Sequence, residues 1–406
     1  MKYGLIVFKN TTNIGDDIQS YAIKKLLPSV DYYIEREKLN EFTSKNNEKV
    51  KTIISGWFNH DKLSFPPSPF IDPLFISIHF TDELLGNKPI YFTDYFLNYL
   101  KKYEPIGLRD DLVKSYLDDN NISNYFSGCA TLTIKKFENI KKTDNICLVD
   151  LNYFVTENIK HEFVNVITRT HYVDNSYNNL SYDERFNYVE KLLKDYQSSK
   201  CVITSRLHCA LPCLALGVPV ILIYKSSNID IKNRLSKYIE LVNYVSEEDF
   251  NKNYKEIINK ISNNKSAYKK IANKLLITIN DFIYRPCLIE NNLDSELYKK
   301  YFVEQKNNLE EIYINKINML NNLLDERYNL IKTDEKEINK LKLINKGIIL
   351  ENDLYKNNFD KLSTDFETTN SQLYMIQNSR TYKFTLKINN LLNLFRKIKH
   401  KLLRRK

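Results

Sequence analysis

The chain has 406 residues, of which only eight are glycine and six cysteine. "SGCATLT" (Ser127 to Thr133) is a polar loop containing a glycine, but it lacks the glycine spacing of a dinucleotide or P-loop phosphate site. The cysteines (Cys129, Cys147, Cys201, Cys209, Cys213, Cys287) include no CxxC pair, and no cluster of ligand residues has metal-binding spacing. Buried thiols in a reducing compartment are therefore expected, ahead of zinc or disulfides. No apolar run approaches the ~20 residues of a membrane span. The longest, Ala210 to Tyr224, is broken by Pro212, Gly217 and Pro219. "MKYGLIVFKNTTNIGDD" turns polar too soon for a signal peptide. These absences predict a cytosolic protein.

What is present supports packed domains. Hydrophobic residues make up 43% of the chain and aromatics 13%, too much for a disordered polymer. The length suggests roughly two or three structural units. The net charge of +10 raises the question of nucleic acid, and its position argues against it. From Arg380 to Lys406 there are ten Lys or Arg and no Asp or Glu, so the rest of the chain holds 50 basic against 50 acidic residues. The basicity belongs to a tail, not to a groove.

Strand and helix patterns alternate twice. "YGLIVF", a polar loop and "IQSYAIKKLL" open an α/β unit, and "PLFISIHF" and "PIGLRD" continue it as strands. "NICLVDLNY" restarts the pattern, which runs through "CVIT" and "VPVILIY" and closes with a helix-rich stretch ending near Tyr284. The expected fold is α/β, with two Rossmann-like domains over 1–140 and 141–290 and a cleft between the C-terminal ends of two parallel sheets. Residues 291–378 read as a helical extension, with a short heptad seam through Ile348, Asn352, Tyr355, Phe359, Leu362, Phe366, Thr369, Leu373 and Ile376. Such a seam suits self-association or spacing. Residues 379–406 combine leucines and cations as an amphipathic tail suited to an anionic membrane surface. A solvated basic tail is the plainer alternative.

The chemistry concentrates in "TSRLHCAL". A strand ending at Thr204 delivers Ser205 and Arg206 to a sheet edge, where a helix starting near His208 directs its first N–H groups. That site favours anions, and the Arg206 guanidinium matches phosphate or carboxylate in two-bond geometry. His208 can exchange a proton near neutral pH. Alternatively, Arg206 pairs with a structural carboxylate and His208 caps the helix. "IGLRDDLVKS" repeats the pattern with Arg109 and Asp110, ahead of Lys114 and Ser115. Arg109 reads either as a second anion clamp or as half of a helix-capping ion pair. "NTTNIGDDIQ" offers Asn13, Gly15, Asp16 and Gln19 as an acceptor-binding lip or a simple N-cap. His79 ends a strand at the same edge, and His171 lies in a polar loop that can reach the cleft.

In order, "NIGDDIQSYA", "PIGLRD", "YFSGCATLT" and "TSRLHCALPCLALGVPVI" resemble the polysaccharide pyruvyl transferase family over about residues 1–285. The resemblance implies a GT-B-like pair of domains that transfers pyruvate from phosphoenolpyruvate to two sugar hydroxyls, with no cofactor and no metal. It places Arg206, Leu207 and His208 at the phosphoenolpyruvate site, Arg109 as a further anion contact and His79 as a catalytic candidate. The helical extension and tail lie outside the resemblance and suggest work at the inner face of the membrane. Two rivals remain open: a GT-B glycosyltransferase using a nucleotide sugar, and a non-catalytic scaffold at the membrane.

Overall fold

Apolar runs such as "GLIV", "ICLV" and "VILI" are what strands buried on both faces require, and the named strands all pair in parallel. The computed structural model describes residues 1–287 except 47, 59–64, 81–93, 225–235 and 262, and beyond them 314, 318, 321–324, 353–358 and 360–365. The chain divides into two units, Met1–Leu309 and Glu310–Lys406.

The first unit opens with β1 (Lys2–Val7), α1 (Gly15–Lys24), β2 (Tyr32–Glu35), β3 (Val50–Phe58) and β4 (Ile71–Phe80). It continues through α2 (Asp94–Lys102), β5 (Ile106–Leu108), α3 (Lys114–Asp119) and β6 (Asn124–Phe126). These strands form one sheet in the order β2-β1-β3-β4-β5-β6. A second series follows: β7 (Ile146–Val149), α4 (Tyr153–Glu162), β8 (Val166–Arg169), α5 (Asn175–Asn178), α6 (Tyr182–Ser198) and β9 (Cys201–Thr204). It ends with α7 (Leu207–Leu216), β10 (Val220–Tyr224), β11 (Asn243–Ser246), α8 (Glu247–Asn259) and α9 (Tyr268–Tyr284). Its sheet has the order β11-β10-β9-β7-β8.

Local signals explain where several helices start and stop. Ser181 and Glu184 form a reciprocal capping box at the head of α6. The apolar α7 ends where Gly217 adopts φ 69°, and the Gly217 N–H bonds back to Cys213 and Leu214. In each sheet the strand order reverses at one point. The chain leaves β1 for β2 and returns to β3 on the other side, and it leaves β7 for β8 and returns to β9. Loops diverge at such reversals and open a crevice at the C-terminal ends of the strands.

One hydrophobic core joins the two sheets. Leu5, Val7 and Ile18 belong to the same buried cluster as Val149, Val202, Leu211 and Leu222. Separate clusters cover the outer faces, one under α2 and α3 and one under α4 and α8. The expectation that the helices up to Tyr284 close the second domain needs correction, because α9 returns to the first sheet. The Ile283 carbonyl accepts from the Tyr3 hydroxyl at 3.3 Å, the Phe282 carbonyl from Lys51, and Arg285 pairs with Asp72 at 3.2 Å. The physical reason is that the end of α9 leaves carbonyls without intrahelical donors, and strands β1 and β3 supply those donors.

All six cysteines are free thiols and five are buried, as their spacing suggested. Among the described residues no helix is long and apolar enough to cross a membrane. In the second unit, residues 353–358 and 360–365 are helical, with Tyr355 and Leu362 exposed. The remaining seam positions and the whole 379–406 tail lie outside the described residues.

Candidate functional site

The second sheet supplies the first part of the site. Val149 at the end of β7 stands in register with Thr204 of β9 and Arg169 of β8. The next residue on each strand is therefore brought to one place. Arg206 forms the N-cap of α7, so that helix begins one residue earlier than the sequence suggested and His208 is its second residue. The Arg206 N–H donates to Thr204 Oγ1 at 2.9 Å, and its Nε donates to Asp150 Oδ2 at 2.8 Å. Its guanidinium lies 4.3 Å from the Tyr172 ring centre, and about a quarter of the side chain, 26%, stays exposed. The Ser205 hydroxyl donates to the Asp150 carbonyl at 2.6 Å. Leu207 packs against the central core. The carboxylate pairing considered as an alternative for Arg206 exists, but it occupies only Nε. Among the described residues no hydrogen bond is made by either Nη.

The first sheet meets this edge through the loop after β1. Asn13 forms an antiparallel bridge with Tyr172, Ile14 N donates to the His171 carbonyl at 2.8 Å, and Val173 N donates to Thr12 at 3.1 Å. Helix α1 then starts against α7. A Cβ on Gly15 would lie 3.1 Å from His208 Cβ and 3.2 Å from His208 Nδ1, so glycine is what lets the two helix starts approach. Asn13 Oδ1 accepts the Gly15 N–H at 3.0 Å, and Asp16 Oδ2 accepts from Thr11 Oγ1 at 2.8 Å. Both side chains thus organise the loop and the start of α1. Two helix N-termini, each with first-turn amides lacking intrahelical acceptors, converge beside His208.

Arg109 arrives from the end of β5. Its Nη1 donates to Gln19 Oε1 at 3.0 Å, and Gln19 Nε2 reaches back to the Gly15 carbonyl at 3.4 Å, giving a line of contacts to His208. Arg109 is only 2% exposed, its carbonyl accepts from Tyr238 at 2.8 Å, and no carboxylate of the described residues pairs with its guanidinium. The suggested Arg109–Asp110 capping pair is not formed, since α3 has Val113 as its N-cap with no side-chain cap bond. Asp110 Oδ1 instead accepts from the Leu112 N–H at 3.2 Å in the preceding turn, while Oδ2 bonds His79 Nδ1 at 2.5 Å. Burial pushes the Asp110 carboxyl up, but the His79 bond, the His79 charge and the Arg109 charge outweigh it and hold Asp110 below its ordinary range. His79 is itself buried, edge-on to Trp57 at 4.7 Å.

Other sequence candidates fall elsewhere. Lys114 is bound to Asp118 at 2.6 Å on the surface, and Ser115 is exposed. Residues 127–133 are buried throughout, because Ser127 ties β4 to β5 by accepting from Ser77 N and donating to the Leu108 carbonyl. His171 turns away from the junction into the core, 1% exposed, with Nε2 2.9 Å from the Tyr196 hydroxyl. Two contributors were missed from sequence, Asp150 and Tyr172. The signal for Asp150 was an acidic residue directly after a strongly apolar strand, in "ICLVD". Tyr172 carried no signal, since only pairing with Asn13 brings it under Arg206. Among the described residues no group of three or more His, Cys, Asp or Glu can hold a metal ion.

A family model described as polysaccharide pyruvyl transferase matches residues 13–227, over half of the chain. This chain belongs to the polysaccharide pyruvyl transferase family. The matched span of this family member runs from Asn13 in the loop before α1, through Arg109 and Asp150, to just past β10, so it contains both sheet edges of the junction. Membership places the chain among transferases of polysaccharide synthesis. No curated protein matches it in sequence. Among solved structures it is similar to a functionally uncharacterised protein from Klebsiella pneumoniae subsp. pneumoniae, at 11% identity over 60% of this chain and 92% of that one, with a TM-score of 0.35. It is also similar to a UDP-GlcNAc 2-epimerase from Methanocaldococcus jannaschii, at 14% identity over 69% of this chain and 100% of that one, with a TM-score of 0.37.

Proposed function

We propose that this family member transfers the pyruvyl group of phosphoenolpyruvate to two hydroxyls of a sugar in a surface polysaccharide or its precursor, forming a ketal and releasing phosphate. The observation that carries this reading is the meeting, at one junction of two sheet edges, of an open Arg206 fork and the His208 imidazole. That junction also supports the GT-B-like arrangement expected of the family. Phosphoenolpyruvate carries a phosphate and a carboxylate, and a planar guanidinium matches either with two parallel bonds. Arg109, buried without a carboxylate partner among the described residues, supports a second anion contact. A buried charge needs a counter-charge, and an anionic substrate supplies one.

In the proposed reaction, protonated His208 gives its proton to the methylene carbon, and the double-bond electrons form the new C–H bond. C2 becomes oxocarbenium-like, the first sugar hydroxyl adds to it, and that hydroxyl's proton returns to His208. The C2–O bond to phosphate then breaks, with its electron pair leaving on the phosphate held by Arg206. The second hydroxyl closes the ketal at C2, and its proton leaves with phosphate. Ser205, Leu207, Asn13 and Asp16 shape the edges of the site. No step is assigned to His79, which is engaged with Asp110.

Two measurements test the reading. Phosphoenolpyruvate raises the thermal midpoint of the full chain while nucleotide sugars do not, because only a ligand of the native state stabilises it. With a sugar acceptor present, the chain releases phosphate from phosphoenolpyruvate. Stabilisation by a nucleotide sugar alone would overturn the proposal.

A further inference from the structure

We infer that Asp150 is the positioning residue that aims Arg206 at its anion; the inference rests on the pyruvyl transfer reading for its kinetic consequence, not for its geometry. Asp150 follows β7 at the point where the strand order reverses, between the loops that leave β8 and β9. Its backbone takes φ 52°, in the left-handed region that few non-glycine residues adopt and that aspartate reaches with help from local hydrogen bonds. All three of its oxygens bind those two loops. Oδ2 accepts from Arg206 Nε at 2.8 Å and from His171 N at 3.1 Å, Oδ1 from Thr170 Oγ1 at 2.7 Å, and the carbonyl from Ser205 Oγ at 2.6 Å. Tyr172, from the same loop as Thr170, lies against the guanidinium.

The consequence follows from the shape of the guanidinium. The bond to Asp150 occupies Nε and fixes that edge of the group, and the guanidinium carbon standing 4.3 Å over the Tyr172 ring centre limits how the group can turn about the bond. The Nη pair is left as the one edge able to take an anion in two-bond geometry. Asp150 is well placed to do this because its side chain is 6% exposed, which limits competition from water. A carboxylate that only neutralised Arg206 would compete with the anion, and its removal would tighten binding. A carboxylate that aims Arg206 has the opposite effect.

The experiment uses the full chain with Asp150→Asn, Arg206→Lys and the double variant. Asp150→Asn should lower kcat/KM for phosphoenolpyruvate by at least ~10-fold, and the double variant should be no worse than Arg206→Lys alone, since residues acting through one another are not additive. Losses that multiply, or a KM lowered by Asp150→Asn, overturn the inference. A second readout needs no substrate. In 15N spectra, the Arg206 Nε–H, identified by its absence in Arg206→Lys, should exchange slowly with water in the wild type and at least ~10-fold faster in Asp150→Asn, because a buried hydrogen bond protects it. Fast exchange in the wild type, or no change on substitution, also sinks the assignment. If the wild type releases no phosphate from phosphoenolpyruvate, the functional reading fails, while the exchange measurement still decides the role of Asp150.

Discussion

Three arginines in the first unit show how differently one charge can be housed. Arg206, one residue beyond Ser205 at the edge of the second sheet, is partly exposed and has a carboxylate built beside it. Arg109, at the matching edge of the first sheet, is buried with Gln19 and no carboxylate of the described residues. Arg185 is buried as deeply as Arg109, yet its Nε and Nη2 each donate to Asp17 at 2.9 Å, with the Tyr177 hydroxyl on the same carboxylate at 2.6 Å. A buried charge that is paired holds the two sheets together, since α1 carries Asp17 and α6 carries Arg185. A buried charge without a carboxylate beside it costs the fold its desolvation.

The largest effect expected concerns Arg206. Arg206→Ala should reduce phosphate release by ~10³-fold or more, as expected for loss of a donor aimed at developing charge. Its thermal midpoint should stay close to wild type, because Asp150 keeps its bonds from Thr170 and His171. Unimpaired turnover refutes the site. Next comes Arg185→Met, which leaves Asp17 buried and unpaired and should cost about 3–5 kcal/mol in denaturant unfolding. A loss below about 1 kcal/mol would show that the clamp is not what joins the sheets.

Arg109→Met is the sharper comparison with Arg185. It removes a buried charge whose guanidinium pairs with no carboxylate of the described residues, so the ligand-free midpoint should hold or rise while the stabilisation by phosphoenolpyruvate weakens by roughly 10-fold in affinity or more. A ligand-free loss as large as that of Arg185→Met would make Arg109 structural. The smallest effect is a pH slope. Glu190 on α6 receives bonds from Lys194 at 2.9 Å and from Tyr21 of α1 at 2.7 Å. These bonds, helped by Lys25, outweigh burial and hold its carboxyl down at about 2. A depressed carboxyl contributes stability above its ordinary pKa and loses it as pH falls, here between 4.5 and about 2. Glu190→Gln should flatten that limb of an acid titration of stability and leave the neutral range unchanged in shape.

The α/β alternation, the two parallel sheets and the block from Thr204 to Leu211 were legible in the chain, because strands buried on both faces and a polar break after a strand leave local signatures. The destination of α9 was not. Its apolar face enters the core that both sheets share, and contacts with Tyr3, Lys51, Asp72 and Tyr125 tie it to the first. His171 shows the same limit. A histidine in a polar loop reads as available, yet the turn after β8 points it at Tyr196 instead.

By itself, then, the sequence determined which residue types stand at the ends of strands, since the spacing of apolar runs is a local property of the chain. Tertiary structure alone decided which of those residues meet. Pairing of β7 with β9 brought Asp150 to Arg206, and the approach permitted by Gly15 brought α1 to His208. It also decided which arginine has a counter-ion, because burial and pairing depend on neighbours far away in the chain, and that difference sets the electrostatic state of each guanidinium.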